Sequence, residues 1–190
     1  MTEWRLFDGD RPHVATFAFH EHRDRAPHLE QPAHYERLHR AVELIRALAP
    51  ASVVDLGCGD GGLLSLITDI PSWGYDWQPS NMAGWAERGV TADALDVFGA
   101  RHVPRWGECA VATEVIEHVA DPHGVVAWIA EHAACVVASS PAFETGESAS
   151  ECHAWAWDMA GYFDLFAPHF EIVSHEIAGW TQLLVGRSKR

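Results

Sequence analysis

A short apolar run that ends in an acid and breaks into glycines limits what this 190-residue chain can become. Ser52-Val53-Val54-Asp55-Leu56 reads as a buried strand, and Gly57-Cys58-Gly59-Asp60-Gly61-Gly62 follows it as a sharp turn into a helix over about 61–68. Strand, glycine turn and helix open a βαβ unit, and the alternation continues. Strands are expected at 73–75, 90–92, 109–113 and 134–139, and helices at 80–88 and 122–133, the second capped by Asp121 with Pro122 in its first turn. Ahead of the unit, Tyr35, Leu38, Val42, Ile45 and Leu48 fall at three- and four-residue steps, an amphipathic helix that Pro50 stops. The tail predicts a helix over 155–166 and a closing hairpin from 170–177 and 181–186.

The fold class is therefore α/β: a doubly wound, mostly parallel sheet with helices on both faces and an antiparallel C-terminal edge hairpin, its ligands at the carboxyl ends of the strands. Residues 33–190 carry this domain. Residues 1–32 mix Pro, His, Asp and Arg without periodicity and read as an arm of short helical pieces that covers the substrate.

Gly57, Gly59 and Gly62 match Gly-x-Gly-x-x-Gly, a pattern that taken alone also suits a dinucleotide. Asp55 decides between ligands. A carboxylate at the end of the strand repels a pyrophosphate and attracts an ammonium group, so the ligand carries a cation, and the dehydrogenase reading comes last. Cys58, between two glycines, packs within this turn; no neighbouring base suggests a catalytic thiol.

From about Ala33 onward these motifs, as a set, resemble the class I (Rossmann-like) S-adenosylmethionine-dependent methyltransferases: acid-x-Gly-x-Gly at Asp55, Asp76 after the second strand and Asp93 after the third. The resemblance implies S-adenosyl-L-methionine as cofactor, bound at Asp55, Gly57, Cys58 and Gly59. It implies Asp76 as acceptor for both ribose hydroxyls, Trp77 against the adenine face, Asp93 as acceptor for the adenine amino group, and the Ala94 amide as donor to the ring. Where relatives commonly have Pro-Gly-Gly before strand five, this chain runs Glu131-His132-Ala133-Ala134-Cys135 straight into Val136.

After the fourth strand, Thr113-Glu114-Val115-Ile116-Glu117-His118 places carboxylates and an imidazole beside the expected sulfonium. On one helical turn, Glu114, Glu117 and His118 would share a face. Glu114 then lines the cofactor pocket, and Glu117, His118 and His153 are the catalytic candidates, His118 as general base. Alternatively Glu114, Glu117, His118 and His153 ligate a divalent metal, a pattern similar to the small-RNA 3′-terminal 2′-O-methyltransferases; carboxylate with imidazole suits Mn, Fe or Zn better than Mg alone. Glu-x-x-Glu-His also looks like many small-molecule O-methyltransferases.

Charge helps to choose. The chain holds 13 Lys+Arg against 27 Asp+Glu, a net charge of −14, which argues against nucleic acid and anionic membranes as partners. Residues 1–50 are nearly balanced, with 7 Arg against 8 acids, so an anionic substrate would meet the arm, where His20, His22, Arg23, Arg25 and His28 are candidate acceptor contacts. Trp155, Trp157, Tyr162, Phe163 and Phe166 recur at helical intervals and read as core, with some walling the acceptor pocket. Four cysteines without paired metal spacing, no signal pattern and no long apolar run fit a soluble cytoplasmic protein. The expected function is methyl transfer to a small-molecule acceptor, at oxygen. The alternatives are a metal-dependent RNA 3′-terminal 2′-O-methyltransferase and a non-catalytic cofactor-binding assembly partner.

Overall fold

The structure, a computed structural model, describes residues 2–6, 24–150 and 152–190. The candidate contacts His20, His22 and Arg23 lie outside the described residues. In chain order the elements are β1 (Glu3–Arg5), α1 (Pro32–Leu48), β2 (Val53–Leu56), α2 (Gly62–Leu66), β3 (Ser72–Asp76), α3 (Met82–Arg88), β4 (Ala92–Ala94) and α4 (Val97–Ala100). They continue with β5 (Cys109–Thr113), α5 (Pro122–His132), β6 (Cys135–Pro141), β7 (Trp155–Trp157), α6 (Met159–Phe166), β8 (Phe170–Ala178) and β9 (Thr181–Ser188).

Seven strands form one sheet in the order β4, β3, β2, β5, β6, β9, β8. The pairs from β4 to β6 are parallel; β9 runs antiparallel to both β6 and β8 and closes the edge. Every residue of β2, β5 and β6 is buried, as apolar strands covered on both faces must be. On one face Trp73, Val126, Ile129, Tyr162 and Phe166 pack into a single core; on the other, α1 and α2 bury Leu38, Ile45, Leu63 and Leu64 against Val53 and Val111. The strand order reverses between β2 and β5, which opens a crevice at the ends where Asp55 and Glu114 sit.

Three expectations change. Residues 155–166 are not one helix: Trp155–Trp157 is a strand paired antiparallel with Glu3–Arg5, and α6 begins only after Asp158, whose side chain accepts from Gly161 N. The start of the arm is thereby a strand. The third parallel strand lies at 92–94, two residues later than the sequence suggests, with Ala94 opposite Asp76.

Candidate functional site

Loops from three neighbouring strands lock together at the crevice. Gly57, Gly59 and Gly61 all have positive φ, and a Cβ on Gly57 would stand 2.5 Å from Val115 Cγ2, so only glycine admits the turn after β5. Gly57 N and Cys58 N donate to Tyr75 O at 2.8 and 3.0 Å, and Trp85 Nε1 donates to Gly59 O at 2.7 Å. Asp76 then fixes the turn from the next strand, accepting from Gly59 N at 2.9 Å, Gln78 N at 2.8 Å and Asn81 Nδ2 at 3.0 Å. Cys58 packs closely over Gly74, as its small size suggests.

Above these loops lies a cavity of about 690 Å³ whose wall includes Asp55, Gly57, Cys58, Gly59, Asp76, Trp77, Glu114 and His118. Asp93 and Ala94 are exposed and stand outside that wall. The two-residue shift of β4 puts Asp96 and Val97 there instead, where Asp96 also caps α4 through Gly99 N at 2.8 Å. Asp55 is buried and its Oδ1 has no hydrogen-bond partner. Burial, reinforced by the charge of Asp76 and opposed by Arg37, lifts its carboxyl to about 7.

Arg37 carries no sequence motif of its own, but it sits four and eight residues before Ala41 and Ile45, on the buried stripe of α1. It is 3% exposed, lines the cavity, and leaves Nε and Nη1 without hydrogen-bond partners. Its Nη2 meets His34 Nδ1 at 3.2 Å, and its Nη1 lies 3.9 Å from Glu114 Oε1.

Past β5 the chain is not a helical turn from Glu114 onward. Glu114 has φ 56, a left-handed conformation that a glutamate adopts at a cost of about 1–3 kcal/mol, held by Glu114 N donating to Ser139 O and Ser139 Oγ donating to Glu114 Oε1 at 2.9 Å. Ile116–His118 forms a 3₁₀ turn. Glu114 and His118 still face the cavity, while Glu117 and His153 stand behind its wall.

The two histidines nevertheless converge. The rings of His118 and His153 meet edge to face with centroids 4.7 Å apart. His118 Nδ1 donates to Cys152 O at 3.0 Å, and His153 Nδ1 pairs with Glu144 Oε2 at 2.5 Å. A histidine with Nδ1 anchored on an oxygen is the arrangement that metal-binding histidines use. One ligand atom each from His118, Cys152 and His153 lies within 4.8 Å of the others. Glu117 is fully buried, both its oxygens are unpartnered, and burial together with the Glu114 charge pushes its carboxyl well up. Burial lowers His153, but the Cys152 and Glu144 hydrogen bonds and the Glu117 charge outweigh it and raise the imidazole to about 10. Among the described residues the ligand atoms close enough to hold an ion together are those of His118, Cys152 and His153; Glu114 and Glu117, which the sequence groups with the two histidines, are not part of that group. Glu144, whose role depends on a loop meeting His153 in space, left no signal in the sequence.

The last stretch of the arm covers the glycine turn. Asp24, Ala26 and His28 line the cavity, Arg25 donates to Glu87 at 2.6 Å, and the fully buried Asp60 pairs with Arg88 at 2.6 Å and lies 3.8 Å from His28 Nδ1. Burial, then the charges of His34, Arg37 and Arg88, lower His28 to about 4 against the pull of Asp60. Of the aromatic set, Trp157, Tyr162 and Phe166 are core and Phe163 is exposed; none of these, nor Trp155, belongs to the cavity wall.

A family model described as a methyltransferase domain matches residues 20–178. No curated protein matches the sequence. Among solved structures, the N-methyltransferase NodS from Bradyrhizobium japonicum WM9, in complex with S-adenosyl-L-homocysteine, is similar with a TM-score of 0.72 at 14% identity, over 92% of this chain and 97% of that one. The methyltransferase domain of bacterial CtHen1-C gives a TM-score of 0.61 at 17% identity over 82% and 98% of the two chains. Magnesium protoporphyrin IX methyltransferase from Synechocystis PCC 6803, with bound S-adenosylmethionine, gives 0.65 at 12% identity over 90% and 88%. Likeness at such identities is likeness of fold.

Proposed function

The chain belongs to the methyltransferase domain family, and from that premise we propose that it methylates a hydroxyl oxygen of a small-molecule acceptor with S-adenosyl-L-methionine as donor. That cofactor, when bound, supplies a methyl group activated on a sulfonium. Asp55 would face its ammonium group, Asp76 its ribose hydroxyls and Trp77 its purine. Asp96 and the Val97 amide take the adenine contacts that the sequence assigns to Asp93 and Ala94. His118 carries the reading: its Nδ1 is tied to Cys152 O, so Nε2 is the atom that accepts the acceptor's hydroxyl proton at the cavity wall. Alignment and exclusion of water do the rest.

Incubation with methyl-labelled S-adenosylmethionine and a panel of phenols, alcohols, amines and carbon acids tests this. Label should pass to an organic hydroxyl, and His118→Asn should lower kcat about 10²- to 10⁴-fold with unchanged affinity for S-adenosylhomocysteine. Label on nitrogen or carbon acceptors alone would refute oxygen as the target.

A second reading is favoured by one observation, the orphaned Glu117 oxygens beside the anchored His118 and His153. With Glu114, these residues would hold Mn, Mg, Fe or Zn, and such an ion would bind and acidify vicinal hydroxyls, as on a terminal RNA ribose. EDTA should then abolish activity, and label should enter RNA ending in a 2′,3′-diol but not RNA lacking the 2′-hydroxyl. The net charge of −14 weighs against this acceptor.

A further inference from the structure

The aromatic residues that the sequence sets around the acceptor do not reach the cavity wall, but two others stand at the mouth of the crevice. Trp180, 37% exposed, follows Gly179 in the turn between β8 and β9, and Phe143, 66% exposed, lies in the loop that leaves β6. Thr181 of β9 is the register partner of Pro141 at the end of β6, so this turn and this loop both sit at the carboxyl end of the parallel strands, where the crevice opens. Ala142 N donates to Trp180 O at 3.0 Å and fixes one to the other.

A chain of contacts carries the two residues from one wall residue to another. The Trp180 ring meets that of His34, which lines the cavity, edge to face with centroids 5.8 Å apart. Next to Phe143, Glu144 pairs with His153, whose ring meets that of His118 on the wall. Trp180 and Phe143 therefore span the rim between the start of α1 and the proton-accepting histidine, without being part of the cavity wall themselves. Large apolar side chains left in water beside a ligand cavity mark a binding surface, and a flat ring is the group that aromatic faces and edges hold best. The acids at this rim, Glu36 against Gly179 and Glu144 beside Phe143, disfavour an anionic occupant, as does the net charge of −14. From His118 to Phe143 the contacts pass through the His153 ring and the Glu144 side chain, so a group reaching both ends is longer than a single ring.

We propose that Trp180 and Phe143 seat an uncharged aromatic body of the acceptor at the rim while its hydroxyl points inward to His118. The proposal rests on the hydroxyl-methylation reading above and names the acceptor's class: a phenol that carries at least one further flat ring.

Calorimetry on the complex with S-adenosylhomocysteine, with phenol and 4-phenylphenol as probes, tests the seat without any transfer step. 4-Phenylphenol should bind at least about 10-fold more tightly than phenol. Trp180→Ala should weaken 4-phenylphenol about 5- to 30-fold while leaving phenol and S-adenosylhomocysteine within about twofold, Phe143→Ala should act in the same direction, and Trp180→Phe should keep most of the affinity. In methyl transfer the loss should fall on KM, with kcat unchanged. Unchanged affinity for S-adenosylhomocysteine shows that each variant is folded, and the comparison of the two phenols on the unsubstituted protein needs no such control. Equal losses for both phenols, or an unsubstituted protein that binds 4-phenylphenol no more tightly than phenol, would overturn the seat while leaving the cofactor assignment intact. If the phenols bind as expected but label reaches only nitrogen or carbon acceptors, the oxygen reading fails and the seat stands. If S-adenosylhomocysteine itself does not bind, the cofactor reading fails and the seat with it.

Discussion

At the scale of single residues, the site's own charges hold it under tension. Asp55 ionises only near pH 7 because it is buried beside Asp76, whereas an unfolded aspartate ionises near 3.8. The folded state therefore binds the extra proton, and stability falls as pH rises from about 4 to 7. Asp55→Asn removes that penalty, on the order of 2–4 kcal/mol, and should raise Tm at pH 7.5 by several degrees while weakening S-adenosylhomocysteine at least tenfold. Thermal melts with and without the ligand check both halves, and a less stable variant would show that Asp55 is already satisfied. Asp55 and the glycines were legible in the sequence because they act through local backbone and a strand end. Asp93 was not distinguishable from Asp96: both are short acids in a turn, and only pairing of Ala94 with Asp76 puts Asp96 at the cavity.

The elements show where local pattern stops being informative. α1, β2, β5 and β6 each announce themselves by apolar spacing, because each buries its own stripe or run. β7 does not. Trp155 and Trp157 join Tyr162 and Phe166 in a helical spacing, and what makes residues 155–157 a strand is Glu3–Arg5, far away in the chain, including Trp157 Nε1 donating to Glu3 Oε2 at 2.8 Å. The site inherits this: β7 and the Ala154 N to Glu117 O hydrogen bond at 2.7 Å place His153 against His118, which no spacing rule contains. The boundary after β7 rests on Asp158, which accepts from Gly161 N at 2.7 Å and caps α6. Asp158→Ala should cost about 1 kcal/mol in urea denaturation, with an unchanged m-value. A change within 0.3 kcal/mol would place the helix start elsewhere.

Across the whole molecule, the arm and the glycine turn give acid two opposing effects. His28, packed over Gly59 with His34, Arg37, Asp60 and Arg88 around it, has its imidazole lowered to about 4. The unfolded chain takes up that proton near 6.5, so His28 makes stability fall as pH drops from 6.5 toward 4. Over the same window Asp55 makes stability rise, because its folded carboxyl is already protonated. The two slopes offset in the intact protein and separate in variants. His28→Gln should become more stable between pH 6.5 and 4.5, and Asp55→Asn less stable, relative to the unsubstituted chain at constant ionic strength. Denaturant titrations at the two pH values decide it. Parallel slopes in all three proteins would mean that neither group is desolvated, and that the arm does not sit on the glycine turn in solution. Opposite slopes would tie the covering arm and the buried acid to one closed cavity, the condition under which water is excluded from a transferring methyl group.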